Sequence, residues 1–382
     1  MVIFGALHLW IGRIPVADGE GYDGADYASM LRGGWDQGGS NTGLRPLIVW
    51  LAQPAYALTG NVVQAFDITN YVYVGLLAFL LSRLMERYGA SILTRAVAIV
   101  CVSLSNAFLL GAYYPVAIDL GGHAIMTLAL WHIIAGPRWA AAAASVAAVL
   151  SREYAPAVML LGVMRDLRLR VPITKIVTTY LPAAIVYVLL RLAVIRSTGE
   201  GNSLQTFIDN TALWKDPMWA AFFVYFSLTA IAGVSLVVAA QPWRWWPVIR
   251  EEPEWVGFAL PIALVTALVG IDIWRYLIAL TPLAVVLLAR CSRAWRPRET
   301  VVFLSAVVVL TLVTQMPFQG MDLRRFFVDF FPYYAWLNKS PDGSTRDLLW
   351  PGWGWRFLIV TLSVWALTAY ASTREQAAVE TR

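Results

Sequence analysis

Long apolar runs separated by short polar stretches are the dominant pattern in this 382-residue chain. Several runs approach the length of about 20 residues that a helix needs to cross a bilayer, and in lipid each backbone polar group must be satisfied within the helix. The pattern therefore predicts an all-α fold, a polytopic transmembrane helix bundle of about ten or eleven spans. We place the runs near residues 62–82, 92–110, 113–134, 139–164, 171–195, 218–240, 256–272, 274–290, 300–316 and 355–372.

Two apolar segments are too short to span a membrane comfortably. The segment 1–12 either continues past Arg13 or belongs to a span whose natural start lies upstream. The segment 46–59 begins with Pro46, which suits the first turn of a helix, and contains Pro54 further along. We expect this segment to lie along the membrane interface or to enter the membrane only partly.

Composition agrees with a membrane protein. Hydrophobic residues make up 59% of the chain and the mean hydropathy is +0.62, which is more apolar than a soluble core accommodates. We predict a single integral membrane domain over residues 1–382. The formal net charge of +5 does not indicate nucleic-acid binding, because the basic residues lie between apolar runs, where membrane topology explains them. Cys101 and Cys291 lack paired or metal-binding spacing and are expected to be small core residues.

Lysine and arginine positions predict the orientation, because basic loops stay in the cytoplasm. The first outer loop, 13–45, and a late outer loop with an interfacial helix, 317–354, then face outward. We expect a multi-pass protein of the inner or plasma membrane with both termini in the cytoplasm. The basic loops assigned to the cytoplasmic side are "SRLMER" with Arg95, "RDLRLR", "RWWPVIR" and "RCSRAWRPR".

One apolar run conflicts with a simple crossing. Arg138 and the basic cluster 165–170 both belong in the cytoplasm, but the run between them, about 26 residues, is too short for two full crossings. We predict a re-entrant helical hairpin that turns at Ser151–Tyr154. Charges at membrane depth are tolerated where they line a wet cavity, so Arg152 and Glu153 become candidate site residues. The alternative is that these two side chains neutralise each other structurally.

The stretch "VADGEGYDGADYASM", residues 16–30, places four carboxylates and three glycines directly after the first apolar segment. Such carboxylates can coordinate a cation, act as a general base or simply solvate a loop. Glycines permit tight turns, and Tyr22 and Tyr27 offer flat surfaces for stacking. This mixture suits the binding of sugars.

Four motifs, in order along the chain, resemble the GT-C superfamily of integral membrane glycosyltransferases in its bacterial form, which uses polyprenyl-phosphate sugars. "YDGADY", Tyr22–Tyr27, is similar to the Tyr-Asp-Gly-x-x-Tyr setting of the acidic residue at the reaction centre. "NTGLRPL" contains an Arg-Pro-Leu segment similar to the one that follows this loop. "LSREYAP" resembles the family's Arg-Glu turn in mid-chain, and "RYLIALTPL" resembles a late Arg-Tyr element.

The resemblance implies an outer-face cavity and transfer of a hexosyl or pentosyl group, with inversion, from a polyprenyl-phosphate carrier to an acceptor outside the membrane. The acceptor would be a glycan, a lipid or a protein, in cell envelope biogenesis. In this chemistry a carboxylate takes the proton of the acceptor hydroxyl while cations stabilise the departing phosphate. Asp23 is the expected base, Asp18 is the second candidate, and Asp26 has less family support. The alternative is that Asp23 only solvates the loop.

Arginines are the expected phosphate ligands, because planar guanidinium groups bind phosphate oxygens in a forked geometry. The candidates are Arg45, Arg152 and Arg275, although Arg275 suits a helix-end pair with Asp272 equally well. The pair Arg324 and Arg325 opens an aromatic stretch whose first expected role is membrane anchoring and whose second is contact with the carrier lipid. Residues expected to line the cavity or bind substrate are Glu153, Tyr22, Tyr27, Tyr276, Asp119, His123, Arg324 and Arg325.

Asp119 and His123 share one face of the run 113–134 at i and i+4 spacing, and two glycines between them indicate close helix packing. We expect a buried hydrogen-bonded pair that lines the cavity, and we interpret Asp67 in the same way. A metal site would need more ligands than three scattered histidines provide. We therefore expect no cofactor and no metal, although members of the superfamily differ in their use of divalent metals.

Two other classes of protein fit parts of the pattern. An O-antigen-type polymerase or ligase would place its key arginines in a late loop, as Arg324, Arg325 and Arg346 are placed, and would fail when they are changed. A glycosyltransferase of the GT-C type should fail when Asp23 is changed. A secondary transporter would also have about ten spans and intramembrane charges, but it would show two related halves, which the sequence lacks.

Overall fold

The protein is described by a computed structural model, in which residues 1–13, 16–21, 23–39, 42–198, 211, 214–215, 217–268, 276–315 and 358–373 are defined. Within these ranges the chain is helical and has no β-strand, which confirms the all-α prediction. The α-helices are α1 (Val2–Ile11), α2 (Gly24–Gly33), α3 (Pro46–Thr59), α4 (Val62–Arg87), α5 (Ile92–Ser103), α6 (Asn106–Tyr113), α7 (Asp119–Ala135), α8 (Arg138–Val149), α9 (Pro156–Arg168), α10 (Ile173–Thr198), α11 (Pro217–Thr229), α12 (Ala232–Ala239), α13 (Pro242–Glu251), α14 (Glu254–Leu268), α15 (Thr281–Arg293), α16 (Pro297–Gln315) and α17 (Leu358–Thr373).

Three helices in the described ranges are long and apolar enough to cross a membrane. They are α4, the part of α10 from Ile173 to Ile195, and α16 up to Thr314. The apolar helices α5, α8, α14 and α17 are shorter, at 10–17 residues. These helices support the membrane character predicted from the sequence, whereas the number of ten or eleven spans stays a prediction.

Besides the run 139–164, for which the hairpin is predicted, two predicted apolar runs are divided between helices. The run 92–110 is divided into α5 and α6, and the run 218–240 is divided into α11 and α12. At the second break Ala232 adopts a φ of 56°, in the left-handed region. There the amide of Gly233 donates to the hydroxyl of Thr311 on α16 (3.0 Å), which satisfies a backbone group that the break leaves without a helical partner.

α3 is a fourteen-residue helix that packs along α4. It begins with Pro46 in its first turn and ends at Gly60, whose φ of 64° is the left-handed conformation that glycine adopts readily. Asn61 then caps α4 by accepting a hydrogen bond from the amide of Gln64 (3.0 Å). The predicted short segment is therefore a helix that turns directly into the long helix α4. Its depth in the membrane stays a prediction.

One end of the bundle, called the arginine-rich end below, is held together by ion pairs between helix termini. Arg138 at the start of α8 bonds Asp166 near the end of α9 (3.0 Å), and Arg168 of α9 bonds Glu254 at the start of α14 (2.6 Å). Further contacts here are Tyr88–Glu252, Arg290–Glu252 and Arg244–Glu299. The basic loops predicted for the cytoplasm thus meet at one end of the bundle, while the orientation of that end stays a prediction.

The opposite end, called the loop end, carries α2 and the connections around it. Gln53 of α3 donates to the backbone carbonyl of Leu31 in α2 (2.8 Å). Asn70, near the start of α4, donates to the carbonyl of Pro115, which lies just before α7 (2.9 Å). α4 runs from the loop end to the arginine-rich end, and its 26 residues span about 39 Å. α7, α9 and α15 run in the same direction, because Trp131, Arg168 and Arg290 near their C-terminal ends contact residues of the arginine-rich end.

Candidate functional site

The turn between α8 and α9 contains Ser151–Tyr154 and lies toward the loop end. α8 ends at Val149, and Pro156 occupies the first turn of α9, where a helix does not require an amide hydrogen. Because the Arg138–Asp166 ion pair joins the other ends of these two helices, the chain reverses direction at the turn. The predicted hairpin is confirmed, while its entry into the membrane stays a prediction.

Arg152 is buried at this turn and pairs with Asp119, the first residue of α7. Both side chains are only 3% exposed. Gly122, one turn along α7, leaves the space that the arginine fills, because a Cβ atom there would lie 2.5 Å from the Arg152 Nε atom. Nε itself has no hydrogen-bond partner among the described residues. A buried guanidinium with a donor left over is suited to an anionic ligand.

Glu153 pairs with Arg45, which immediately precedes α3. The Nε and Nη2 atoms of Arg45 donate to both carboxylate oxygens, at 2.9 and 2.8 Å. Arg152 and Glu153 therefore form their ion pairs with other residues and not with each other. The fold places Asp119 against one of them and Arg45 against the other, so each charge is balanced by a different element.

Arg45 also connects the turn to the first outer loop. Its Nη1 atom donates to the hydroxyl of Tyr27 in α2 (2.8 Å), and Tyr27 is 0% exposed. The ring of Tyr27 therefore offers no open stacking surface, contrary to the role that the sequence indicated for it. Its hydroxyl instead forms part of a buried chain, Tyr27–Arg45–Glu153, that joins residues more than 100 positions apart, as the 108-residue separation of Arg45 and Glu153 shows.

Tyr154 completes the turn and was not nominated from the sequence. Its ring lies 5.5 Å from that of Tyr276 and 6.5 Å from that of His123, measured between ring centroids. The guanidinium carbon of Arg152 lies 5.6 Å from the Tyr154 ring centroid. Although Tyr154 is buried, its hydroxyl has no hydrogen-bond partner in the described part of the chain. The only sequence signal for it is its place in the charged turn, beside Arg152 and Glu153.

A small cavity borders this aromatic group. It is lined by His123 and Thr127 of α7, by Leu77 of α4 and by Thr281 and Pro282 at the start of α15. Its volume of about 10 Å³ is close to the space that one water molecule occupies. The larger outer-face cavity implied by the resemblance stays a prediction.

The carboxylates of the first outer loop differ in their surroundings. Asp26 accepts a hydrogen bond from the hydroxyl of Thr42 (3.0 Å), so it has a structural partner within the loop. Glu20 bonds Arg32, and this hydrogen bond raises the pKa of the guanidinium. Asp23 is exposed directly before α2, and its carbonyl accepts the amide of Tyr27.

Asp18, the second candidate base, is exposed in the short 3-10 turn Val16–Gly19 and has a φ of 53°. The loop after it approaches Tyr114, which lies between α6 and α7. A Cβ atom would lie 2.3 Å from the Tyr114 ring at Gly21 and 2.8 Å from its hydroxyl at Gly24. Only glycine fits so closely, so Gly21 and Gly24 allow the loop to pack against Tyr114. The hydroxyl of Tyr114 accepts a hydrogen bond from the amide of Gly24.

The remaining predicted residues divide into two groups. Asp67 lies on α4 beside α1, where it pairs with Arg13 and lies 3.8 Å from His8, so it belongs to a separate group of charges. Asp119 and His123 are both buried, as predicted, and the partner found for Asp119 is Arg152. Residues that lie outside the described ranges are Tyr22, Asp272, Arg275, Arg324, Arg325 and Arg346, together with the late outer loop 317–354.

Within the described ranges no group of three or more His, Cys, Asp or Glu side chains is arranged to hold a metal ion. Cys101 and Cys291 are buried and free, which confirms them as core residues. Comparison of the chain with protein-family models, with curated proteins and with solved structures finds no match.

Proposed function

We propose that this protein is an integral membrane glycosyltransferase that transfers a sugar, with inversion, from a polyprenyl-phosphate carrier to an acceptor at the outer face of the membrane. The observation that supports this most is the buried chain Tyr27–Arg45–Glu153. It holds the helix that follows the exposed carboxylate of Asp23 against the turn that carries Arg152. A base and a buried cation on one assembly are what the reaction needs.

The residues have separate roles in this proposal. The carboxylate of Asp23 accepts the proton of an acceptor hydroxyl, whose oxygen forms a bond to the anomeric carbon of the donor sugar. The bond from that carbon to the carrier phosphate breaks, and the phosphate leaves with the electron pair. Arg152 stabilises the negative charge on the leaving phosphate, and Asp119 and Gly122 hold Arg152 in place. Arg275 and Tyr22 keep their proposed roles as donor-phosphate and substrate contacts.

Arg45 has a different role from the one that the sequence indicated. Three of its nitrogen atoms already donate to Glu153 and Tyr27, so its capacity for a phosphate is largely used. We assign it to positioning: it fixes α2 over the hairpin turn. A substrate that entered from the loop end would then meet Asp23 first and the Arg152 turn beneath it.

The test is a transfer assay with purified protein in lipid nanodiscs, radiolabelled polyprenyl-phosphate sugars and a cell-envelope extract as the source of acceptor. We expect wild-type protein to transfer label from at least one donor, and Asp23→Asn to lower the rate by about 10²- to 10⁴-fold, because the general base is lost. Asp36→Asn, an exposed carboxylate in the same loop, is the matched control and should keep the wild-type rate.

Two results would count against the proposal. If wild-type protein transfers label from none of the donors, the proposed transfer reaction is refuted. Full activity of Asp23→Asn, combined with loss of activity in Arg324→Gln or Arg325→Gln, would favour a polymerase or ligase of the O-antigen type.

A further inference from the structure

α13 is a ten-residue helix that joins α12 to α14 at the arginine-rich end and is too short to cross a membrane. Its inner face is fixed to the bundle. Val248 is buried, the indole of Trp245 donates to the carbonyl of Val238 (2.8 Å), and Arg244 pairs with Glu299 at the start of α16 (3.0 Å). These contacts determine which side of α13 faces outward.

The outer face of α13 carries an aromatic residue and a cation. Trp246 and Arg250 are separated by four positions, so they lie on one side of the helix. Trp246 is 54% exposed, and Pro247 and Arg250 are exposed as well. A short amphipathic helix with exposed tryptophan and arginine is typical of a segment that lies in the headgroup region of a membrane.

The connection between α15 and α16 lies against α13 and adds positive charge. Gln241, just before α13, accepts a hydrogen bond from the indole of Trp295 (2.9 Å), which fixes this connection in place. The exposed arginines of this region are Arg250, Arg293, Arg296 and Arg298. None of them has a carboxylate within ion-pair distance among the described residues, although the exposed Glu251 follows Arg250 in sequence.

The base of the α8–α9 hairpin, at the same end, is different. Arg138 pairs with Asp166, and Arg165 and Arg168 both pair with Glu254. Arg138, Arg165 and Arg168 therefore each have a carboxylate of the protein itself within ion-pair distance. The arginines around α13 have no such carboxylate among the described residues.

We propose that Trp246 together with Arg250, Arg293, Arg296 and Arg298 forms a docking surface for anionic phospholipid headgroups in the leaflet at the arginine-rich end. The guanidinium groups bind lipid phosphate, and the indole ring lies at the boundary between headgroups and acyl chains. Charge complementarity sets the preference for anionic over zwitterionic lipid. The proposal is independent of the transfer reaction, because none of these residues lies at the loop end.

Native mass spectrometry of the full-length protein in mild detergent tests this surface. The protein is titrated with phosphatidylglycerol or with phosphatidylcholine of the same acyl chains. We expect wild-type protein to prefer phosphatidylglycerol, and the double variant Arg250→Gln/Arg298→Gln to bind it at least about tenfold more weakly with little change for phosphatidylcholine. Trp246→Ala should weaken the binding of both lipids, because the indole carries no charge.

The double variant Arg170→Gln/Lys175→Gln is the matched control, since both residues are exposed cations at the same end, Arg170 on the connection between α9 and α10 and Lys175 in the first turn of α10. It should keep the preference for phosphatidylglycerol. An equal loss in this control would show that binding follows total charge and not the α13 surface. Unchanged binding in Arg250→Gln/Arg298→Gln, or displacement of the lipid by an equal concentration of inorganic phosphate, would also overturn the proposal. A melting temperature equal to that of wild type confirms that each variant is folded.

Discussion

The two ends of the bundle use the same arginine–carboxylate chemistry at different depths. At the loop end, Arg152 and Asp119 are each 3% exposed. At the arginine-rich end, Arg138 is 41% exposed and its partner Asp166 is 11% exposed. Removal of a charge pair from water carries a large desolvation cost that the pairing repays only in part. The Arg244–Glu299 pair of the arginine-rich end is also buried, at 9% and 5% exposure, so the Arg152–Asp119 pair is distinguished by being the most deeply buried pair among the described residues.

The two ends also differ in how arginines share carboxylates. At the arginine-rich end a single carboxylate, Glu254, serves both Arg165 and Arg168. At the loop end Arg152 and Arg45 each have their own carboxylate. Gly122 leaves the space that Arg152 fills, and the hydroxyl of Tyr27 accepts a hydrogen bond from Arg45. Fixed charges in water-poor surroundings stabilise developing charge more strongly than mobile charges in water. This difference supports the loop end as the functional site and the ion pairs of the arginine-rich end as contacts that join helix ends.

The largest expected effect is that of Asp119→Ala. The substitution leaves Arg152 buried without its carboxylate, and we expect the free energy of unfolding to fall by about 3–5 kcal/mol. Denaturation by sodium dodecyl sulfate in mixed micelles measures the change. The double variant Asp119→Leu/Arg152→Met removes both charges and should recover most of the loss, but not sugar transfer. A double variant as unstable as the single one would show that shape, and not charge, holds the turn.

The sequence predicts the hairpin because charge and length conflict there. Arg138 and the 165–170 cluster belong on the same side, and the apolar run between them is too short for two crossings. The structure has the reversal at the expected turn. The apolar runs likewise predict most helices, but not the break before Ala232. There Ala232 adopts a positive φ, and the amide of the next residue donates to Thr311 on another helix, a contact that no local pattern indicates.

The contacts of the site are less predictable than its members. The sequence makes Arg152, Glu153, Arg45 and Asp119 all candidates, but it offers an Arg152–Glu153 pair only as an alternative and does not predict the partner of either residue. Their true partners lie 33 and 108 positions away, and only the packing of α3 and α7 on the turn decides them. Tyr154 is not predicted for the same reason. Its sequence context does not indicate that its ring lies near those of His123 and Tyr276.

A medium effect is expected for Tyr27→Phe, which probes the chain that joins α2 to the turn. Arg45 would lose an acceptor in a place with little water, and we expect a loss of stability of about 1.5–3 kcal/mol. Tyr187→Phe is the comparison, because the Tyr187 hydroxyl donates to the backbone carbonyl of Glu153 (3.2 Å) and is less buried. Its loss should be about 0.5–1.5 kcal/mol. The same denaturation measurement applies, and equal losses for the two variants would contradict a special role for the Arg45 contact.

The smallest effect is expected for Arg138→Gln, which breaks the ion pair with Asp166 at the base of the hairpin. Because Arg138 is 41% exposed, water replaces much of the lost ion pair, and we expect a change of about 1 kcal/mol or less. The difference between wild type and variant should shrink further in about 1 M salt, where the screening length falls to about 3 Å. Lys175→Gln, at an exposed cation in the first turn of α10, should have no measurable effect. A loss of stability as large as that of Asp119→Ala would mean that both ends are equally sensitive to charge removal. The ion pairs of the two ends could then not be assigned different roles.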